Sequence, residues 1–215
     1  MKNLAILVLI YVGLTACNTN NDFKTITHNP DLYAHTVHEL NQVVMGNNFS
    51  PIVASRNYAY AAIAGYEVMA AGDPSNYQSL AGQLKGLTEV PTTKDTANID
   101  FSYASLIAYC MVGEAVTFPE GSLKEYTDSL HQLVKDHGMS TKMIAASESF
   151  AKEMGAAIIA WSKKDNYAQT RSAEKFTVKD IPGRWVPTPP MYASAAEPHW
   201  KEIRTMVLDL SLIHI

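Results

Sequence analysis

The 215-residue sequence predicts an all-α fold, a multi-helix bundle that is followed by an extended strap rich in proline and tryptophan. Three observations support this prediction. Apolar residues recur with the 3.6-residue period of a helix along most of the chain. No segment alternates convincingly with the period of two that strands require. Residues 183–200 then interrupt the helical pattern with four prolines and two tryptophans.

Composition limits the classes of protein to consider. With 47% hydrophobic and 18% charged residues, the chain has the composition of one globular domain. The net charge of -4 and the sequence pI near 6.0 show no basic excess. These values argue against nucleic acid as a partner.

The N-terminus has the pattern of a signal peptide. One lysine precedes an apolar run over residues 4–14, which is shorter than the ~20 apolar residues needed to span a bilayer. The following Leu-Thr-Ala-Cys, ending at Cys17, resembles a bacterial lipobox. We therefore expect residues 1–17 to be a lipoprotein signal peptide and Cys17 to be acylated. An ordinary signal peptide with a chance cysteine is the alternative.

Acylation of Cys17 would make the membrane a partner of the mature protein and place it in the bacterial cell envelope, outside the cytoplasm. Residues 18–29 are polar and short, and we expect them to form a tether. Only one other cysteine exists, Cys110, which lies in an apolar segment. We expect Cys110 to be a buried thiol and the mature protein to have no internal disulfide.

The helical bundle is predicted over residues 30–172. Its first helix ends at Gly46, and the second begins with Ser50 as N-cap and Pro51 in the first turn. Residues 77–87 are predicted as a short helix and residues 90–100 as a loop. Further helices follow over residues 101–118 and 120–138, and Ser140 caps a long one. The apolar stripe of the first helix comprises Tyr33, Val37, Leu40 and Val44. The inward face of the 120–138 helix comprises Leu123, Tyr126, Leu130, Leu133 and Val134.

Two charged residues interrupt the otherwise apolar second helix, Arg56 and Glu67. Their separation of eleven residues is close to three whole turns, so both side chains lie on one face but too far apart to pair. We expect them to line a polar seam or to contact neighbouring helices.

Two groups of residues have the spacing of functional sites. His35, His38 and Glu39 share a helix face, as ligands of zinc could, but the apolar stripe lies elsewhere and we expect them to face water. Lys164 and Arg171 could form an anion clamp. The other histidines have no ligand spacing, and phosphate loops, nucleophile elbows and paired-cysteine motifs do not occur. From the residues alone, we predict no catalytic, cofactor-binding or metal-binding residue in this chain.

Three segments carry a resemblance: residues 50–68 (SPIVASRNYAYAAIAGYEV), 157–167 (AIIAWSKKDNY) and 182–204 (PGRWVPTPPMYASAAEPHWKEIR). In this order they resemble the vanadium-dependent haloperoxidase family, which belongs to the type 2 phosphatidic acid phosphatase superfamily. The resemblance implies that residues 173–209 are a strap leading to a second helical bundle that carries the active site. We expect Pro187, Pro189 and Pro190 to keep the strap extended, and Trp185 and Trp200 to pin it by burial.

The catalytic site of the family is an anion cage for vanadate or phosphate. It is built from a lysine followed six residues later by Arg-Pro, a Pro-Ser-Gly-His block, and a late Ser-Arg block followed by a histidine. Bound vanadate activates peroxide, which oxidises halide. Lys164 and Arg171 have the first spacing, but Ser172 replaces the proline and the pair precedes the strap; Ser55 and Arg56 open a helix of the first bundle. We therefore do not assign the cage to these residues.

The resemblance thus implies that the chain is an inactive N-terminal fragment of a lipid-anchored haloperoxidase or acid-phosphatase-like protein. The parent would bind vanadate or phosphate, vanadate if it is a haloperoxidase, and its C-terminal helical half is missing here. Residues 210–215 resemble a translated sequencing adapter and are expected to be a non-native tail, with a genuine C-terminus as the alternative. Two other functions stay open: a phosphohydrolase of the same superfamily, and a non-enzymatic helical surface-binding lipoprotein.

Overall fold

The computed structural model describes residues 22–94, 96–179 and 181–208. Within these ranges there are seven α-helices and no strand, so the predicted all-α class is confirmed. The helices are α1 (Asp22–Thr27), α2 (Pro30–Gly46), α3 (Pro51–Gly72), α4 (Phe101–Val116), α5 (Lys124–Asp136), α6 (Thr141–Ser162) and α7 (Tyr167–Arg171), and a 3₁₀ turn spans Trp200–Glu202. None of the helices in these ranges combines the length and apolarity needed to cross a bilayer.

The centre of the bundle is formed by α3, α4 and α6, which pack against one another, while α2 lies on α4 and α1 lies on α5. The central helices are apolar around most of their circumference, so they can be buried on several sides. Their fully buried side chains include Tyr60, Val68, Tyr103, Leu106, Val112, Met154 and Ile158.

The helix ends follow the signals in the sequence. Ser50 accepts a hydrogen bond from the Val53 amide, and Ser140 accepts one from the Met143 amide, so both predicted N-caps are confirmed. Gly138, beyond the end of α5, has φ +88°, the left-handed conformation that glycine adopts without strain. The two serine caps provide acceptors for amides that the first turn of a helix leaves unpaired.

Residues 77–87 are not helical, and the prediction of a short helix there is wrong. The buried carboxylate of Glu67 accepts hydrogen bonds from the Leu80 amide (2.6 Å) and the Ser79 hydroxyl (2.8 Å), which fixes this segment as a loop on α3. Gly82 and Gly86 both have positive φ, which interrupts helical geometry. The contact with Glu67 therefore determines the conformation of this segment, even though its apolar residues recur with the period of a helix.

The segment predicted as a polar tether also contains structure. Residues Asp22–Thr27 form α1, and the Phe23 side chain is buried. The Phe23 amide donates to the His137 carbonyl at 3.1 Å, which ties the start of α1 to the end of α5. Burial of Phe23 attaches this segment to the bundle, which the mostly polar composition of residues 18–29 did not predict.

The strap has no α-helix among its described residues. The prediction that Trp185 is buried in a groove is wrong: 48% of its surface is exposed, and its ring contacts Phe176 at a centroid distance of 5.6 Å. Pro189 and Pro190 lie in a turn rather than in extended chain, since the Tyr192 amide donates to the Thr188 carbonyl at 3.0 Å. The strap is therefore fastened elsewhere, at its C-terminal end.

We expect Gly72→Ala to lower the free energy of unfolding by about 1–3 kcal/mol, as overpacking does. A Cβ atom at Gly72 would lie 2.4 Å from Cγ of Phe101, at the base of a ring that packs on Phe150. Gly46→Ala is the matched control, because Gly46 also ends a helix but a methyl group added there would meet no atom within 4 Å. Urea denaturation of both variants should show a loss only for Gly72→Ala, and equal stabilities would contradict this packing.

Candidate functional site

A buried ion pair joins α3 to the residues that follow α6. The Nε atom of Arg56 donates to Oδ2 of Asp165 at 2.6 Å, with 9% and 0% of the two side chains exposed. The Arg56 Nη2 atom reaches the Ser162 carbonyl at 3.4 Å, and the Tyr167 amide donates to Oδ1 of Asp165 at 2.9 Å. Both carboxylate oxygens are thus held, as a buried charge requires.

Tyr60 and Arg204 extend this pair into a chain of hydrogen bonds. The Tyr60 hydroxyl donates to Oδ2 of Asp165 at 2.9 Å and accepts from Nη2 of Arg204 at 2.9 Å. The Nη1 atom of Arg204 donates to the Trp161 carbonyl at 3.2 Å. We call Arg56, Tyr60, Trp161, Asp165 and Arg204 the arginine cluster.

Aromatic rings enclose both guanidinium groups. Arg56 lies 4.8 Å from the centroid of the Tyr60 ring and 4.3 Å from that of Tyr167, and Arg204 lies 4.4 Å from that of Trp161. The rings of Tyr60 and Trp161 pack edge to face at 5.0 Å. Cation–π attraction is stronger where water is excluded, so these rings stabilise charges that burial would otherwise penalise.

The cluster fastens the end of the strap to the bundle. The Arg204 amide donates to the Asp165 carbonyl at 2.9 Å, and the Lys85 amide donates to the Met206 carbonyl at 2.9 Å. The indole of Trp161 donates to the Lys85 carbonyl at 3.1 Å, so the loop after α3 is bound to the same point. Three segments distant in sequence therefore meet here.

The electrostatics of the cluster keep Tyr60 neutral. Burial raises the pKa of Tyr60, and the adjacent Asp165 carboxylate raises it further, while Arg204 and Arg56 oppose the rise. A phenol that stays protonated can donate to Asp165 and accept from Arg204 at the same time.

A cavity of about 480 Å³ adjoins the cluster, between the N-terminal half of α3 and residues 200–208. Arg56, Tyr60, Asp165 and Arg204 are among its lining residues, and most of its surface is apolar. Cavities of this size that combine apolar walls with a few convergent polar groups are typical ligand sites. The cluster and its cavity are therefore the candidate site of the described residues.

The residues with zinc-like spacing lie on the surface, as expected. His35 and His38 are exposed, and Glu39 is half-buried. His35 lies 3.7 Å from Glu39 and its ring contacts Tyr126. Among the described residues, no three metal-ligating side chains converge.

Lys164 and Arg171 have different surroundings in the structure. Lys164 is exposed, whereas Arg171 pairs with Glu197 of the strap and lies over the ring of Tyr167. The other sequence candidates, Arg56 and Glu67, do contact neighbouring segments, Asp165 and the 79–80 loop respectively, which confirms that they do not pair with each other. Cys17 and residues 210–215 lie outside the described residues.

Cys110 is buried at 1% exposure in α4, as the sequence predicted. Burial raises the pKa of its thiol to about 12. Such a thiol is almost entirely protonated at neutral pH and is a poor nucleophile.

Reasoning from the sequence missed Asp165, Tyr60 and Arg204. A signal was nevertheless present, because the three segments with family resemblance each contribute to the cluster. Arg56 and Tyr60 come from the first segment, Trp161 and Asp165 from the second, and Arg204 from the third. Charged residues inside otherwise apolar or aromatic segments were candidates for mutual contact.

The fold and the cluster together define an all-α bundle with a strap fastened across it. The same architecture occurs in a solved structure described as the first bacterial vanadium-dependent iodoperoxidase. The two align with a TM-score of 0.77 and 39% sequence identity, over 84% of this chain and 43% of the other. No family model matches the sequence, and no curated protein matches it.

The chain belongs to the vanadium-dependent haloperoxidase family, as the sequence segments indicated. It spans less than half of the iodoperoxidase chain that it matches.

Vanadate is the cofactor that this family implies, and the described residues do not fit it. Arg171 already binds Glu197, Lys164 is exposed, and histidine is absent from the lining of the cavity beside the arginine cluster. His199 lines another pocket together with several cationic side chains, but both of its ring nitrogens already contact protein groups, the Glu202 carboxylate and the Glu174 carbonyl.

Proposed function

We propose that this chain is the scaffold half of a haloperoxidase, and that the whole protein oxidises halide with peroxide at a vanadate site formed by further residues. The observation that carries the proposal is the likeness to the iodoperoxidase, at 39% identity and a TM-score of 0.77. At this identity, a shared fold and a related activity are both supported. Iodide is the first halide to test.

The 215 residues alone should have no turnover. The sequence contains no Arg-Pro pair and no Pro-Ser-Gly-His block, and its one Ser-Arg pair, Ser55 and Arg56, lies in α3. Arg56 is committed to Asp165 there and is 9% exposed. The scaffold would therefore position and stabilise the catalytic half of the protein, and it would supply no reacting group itself.

The strap offers a surface for the catalytic half. Large apolar side chains are exposed along it: Phe176, Val178, Ile181, Trp185, Val186, Met191, Tyr192, Val207 and Leu208. Large exposed apolar patches on soluble proteins mark interaction surfaces. We propose that a second helical half packs on this face, directed there by the fastened end of the strap.

The activity test compares two proteins: the 215-residue chain and the whole protein encoded at the source locus. Each is assayed for peroxide-dependent iodide oxidation, with and without added vanadate. We expect vanadate-dependent turnover only from the whole protein. Turnover by the 215-residue chain would contradict its role as a scaffold, and phosphatase turnover without iodide oxidation by the whole protein would identify a phosphohydrolase instead.

We also propose that Cys17 is acylated and anchors the protein to a membrane of the bacterial cell envelope. The lipobox-like residues before Cys17 support this proposal. Anchoring requires more than one acyl chain, because a single chain gives only marginal binding.

A thiol count tests the acylation. Cys110 is buried, and burial raises the pKa of its thiol, so Cys110 should react slowly in the native protein. We expect the native protein to show no fast-reacting thiol and the denatured protein to show one. A fast thiol in the native state, absent from a Cys17→Ser variant, would show that Cys17 is free and would contradict the lipid anchor.

A further inference from the structure

We propose that the cavity beside the arginine cluster binds a small organic monocarboxylate. Its carboxylate would lie against the guanidinium groups of Arg204 and Arg56, and its apolar part against Ala59, Ile203 and Met206. The proposed site lies within the described residues, and binding there does not depend on the haloperoxidase activity.

The charge of the cavity wall favours an anion. Arg56, Lys201 and Arg204 line the cavity and are positive, whereas Asp165 is the one acidic residue of the lining. Both oxygens of Asp165 are already occupied, by Arg56 and Tyr60 on one side and by the Tyr167 amide on the other. Asp165 therefore neutralises Arg56 and leaves Arg204 uncompensated.

Arg204 has only neutral acceptors in the described part of the chain. Its two terminal nitrogens donate to the Tyr60 hydroxyl and the Trp161 carbonyl, and no described carboxylate lies within 4.0 Å of it. Its Nε atom is buried and has no acceptor among the described residues. Because partly buried charges are normally paired, this guanidinium is the group that an incoming anion would neutralise.

The volume and walls of the cavity indicate an organic ligand. About 480 Å³ is larger than a simple inorganic ion requires and falls in the range of small-molecule sites, about 300–1,000 Å³. Apolar side chains, among them Ile203, Met206 and Leu208, also line the cavity, and most of its surface is apolar. A carboxylate accepts paired hydrogen bonds from a guanidinium, and an apolar tail would fill the remaining space.

Benzoate is a suitable probe, and benzamide is its neutral near-isostere. We expect calorimetric titration of the full chain to show benzoate binding at least tenfold tighter than benzamide. Arg204→Gln should weaken benzoate binding at least tenfold. Arg184→Gln, which removes an exposed arginine outside this cavity, should leave it unchanged.

A second variant keeps the test valid if Arg204→Gln does not fold. Ala59→Phe fills the cavity from α3 and leaves both arginines in place, and it should abolish benzoate binding. Equal affinity for benzoate and benzamide, or unchanged binding to Ala59→Phe, would overturn the proposal.

The carboxylate could instead be a side chain supplied by another part of the whole protein. Titration of the whole protein separates these sources. Benzoate binding to both the whole protein and the 215-residue chain supports a small-molecule site, whereas binding to the 215-residue chain alone would overturn it.

Discussion

Asp165→Asn is expected to lower the free energy of unfolding by about 3–5 kcal/mol, the usual cost of breaking a buried ion pair. The change removes the negative charge but keeps the shape, so it leaves Arg56 buried without a counter-charge. It also replaces one acceptor oxygen by an NH2 group, so either Arg56 and Tyr60 or the Tyr167 amide loses its acceptor. Urea denaturation, followed by circular dichroism, measures the loss.

Asp128→Asn is the matched control. Asp128 pairs with Lys124 at 2.5 Å, but 64% and 69% of these side chains are exposed. Exposed pairs contribute about 0–1 kcal/mol, so this variant should be close to wild type. If Asp165→Asn were no more harmful than Asp128→Asn, the arginine cluster would not be the fastening point that we describe.

Trp161→Ala should cost about 3–5 kcal/mol, as truncation of a buried aromatic side chain does. Trp161 is 4% exposed, packs on Tyr60, donates to the Lys85 carbonyl and lies under the guanidinium of Arg204. Its removal therefore opens the core and releases both the 85–86 loop and the end of the strap. We expect faster proteolysis of residues 173–200 in addition to the lower stability.

Trp185→Ala provides the comparison for Trp161→Ala. Trp185 is half-exposed and contacts Phe176 of the strap, so the 215-residue chain should lose less than about 1 kcal/mol. Equal losses for the two tryptophans would contradict the placement of the strap. Asp165→Asn and Trp161→Ala share Tyr60 as a contact, so their combined effect should be less than the sum.

The features that the sequence predicts correctly are those with local causes. Ser50, Ser140 and Gly138 mark helix ends because capping depends on neighbours three or four residues away. The apolar α3 was expected at the centre of a bundle because a helix without a polar face needs partners on several sides. Cys110 was expected to be buried for the same reason.

The features that the sequence does not predict depend on distant partners. Arg56 and Asp165 are 109 residues apart, and no local pattern pairs them. The 77–87 loop has an apolar period typical of a helix, but the Glu67 carboxylate binds it in another conformation. The size of Trp185 favours burial, whereas its exposure depends on what packs on the strap.

We propose that this chain is the scaffold of an anion-cage enzyme. Long-read sequencing of the source DNA beyond the codon for Asp209 tests it most directly. We expect the reading frame to continue into an Arg-Pro pair, a Pro-Ser-Gly-His block and a late Ser-Arg block followed by a histidine. A stop codon directly after Ile215 would contradict it and would favour a non-enzymatic helical lipoprotein.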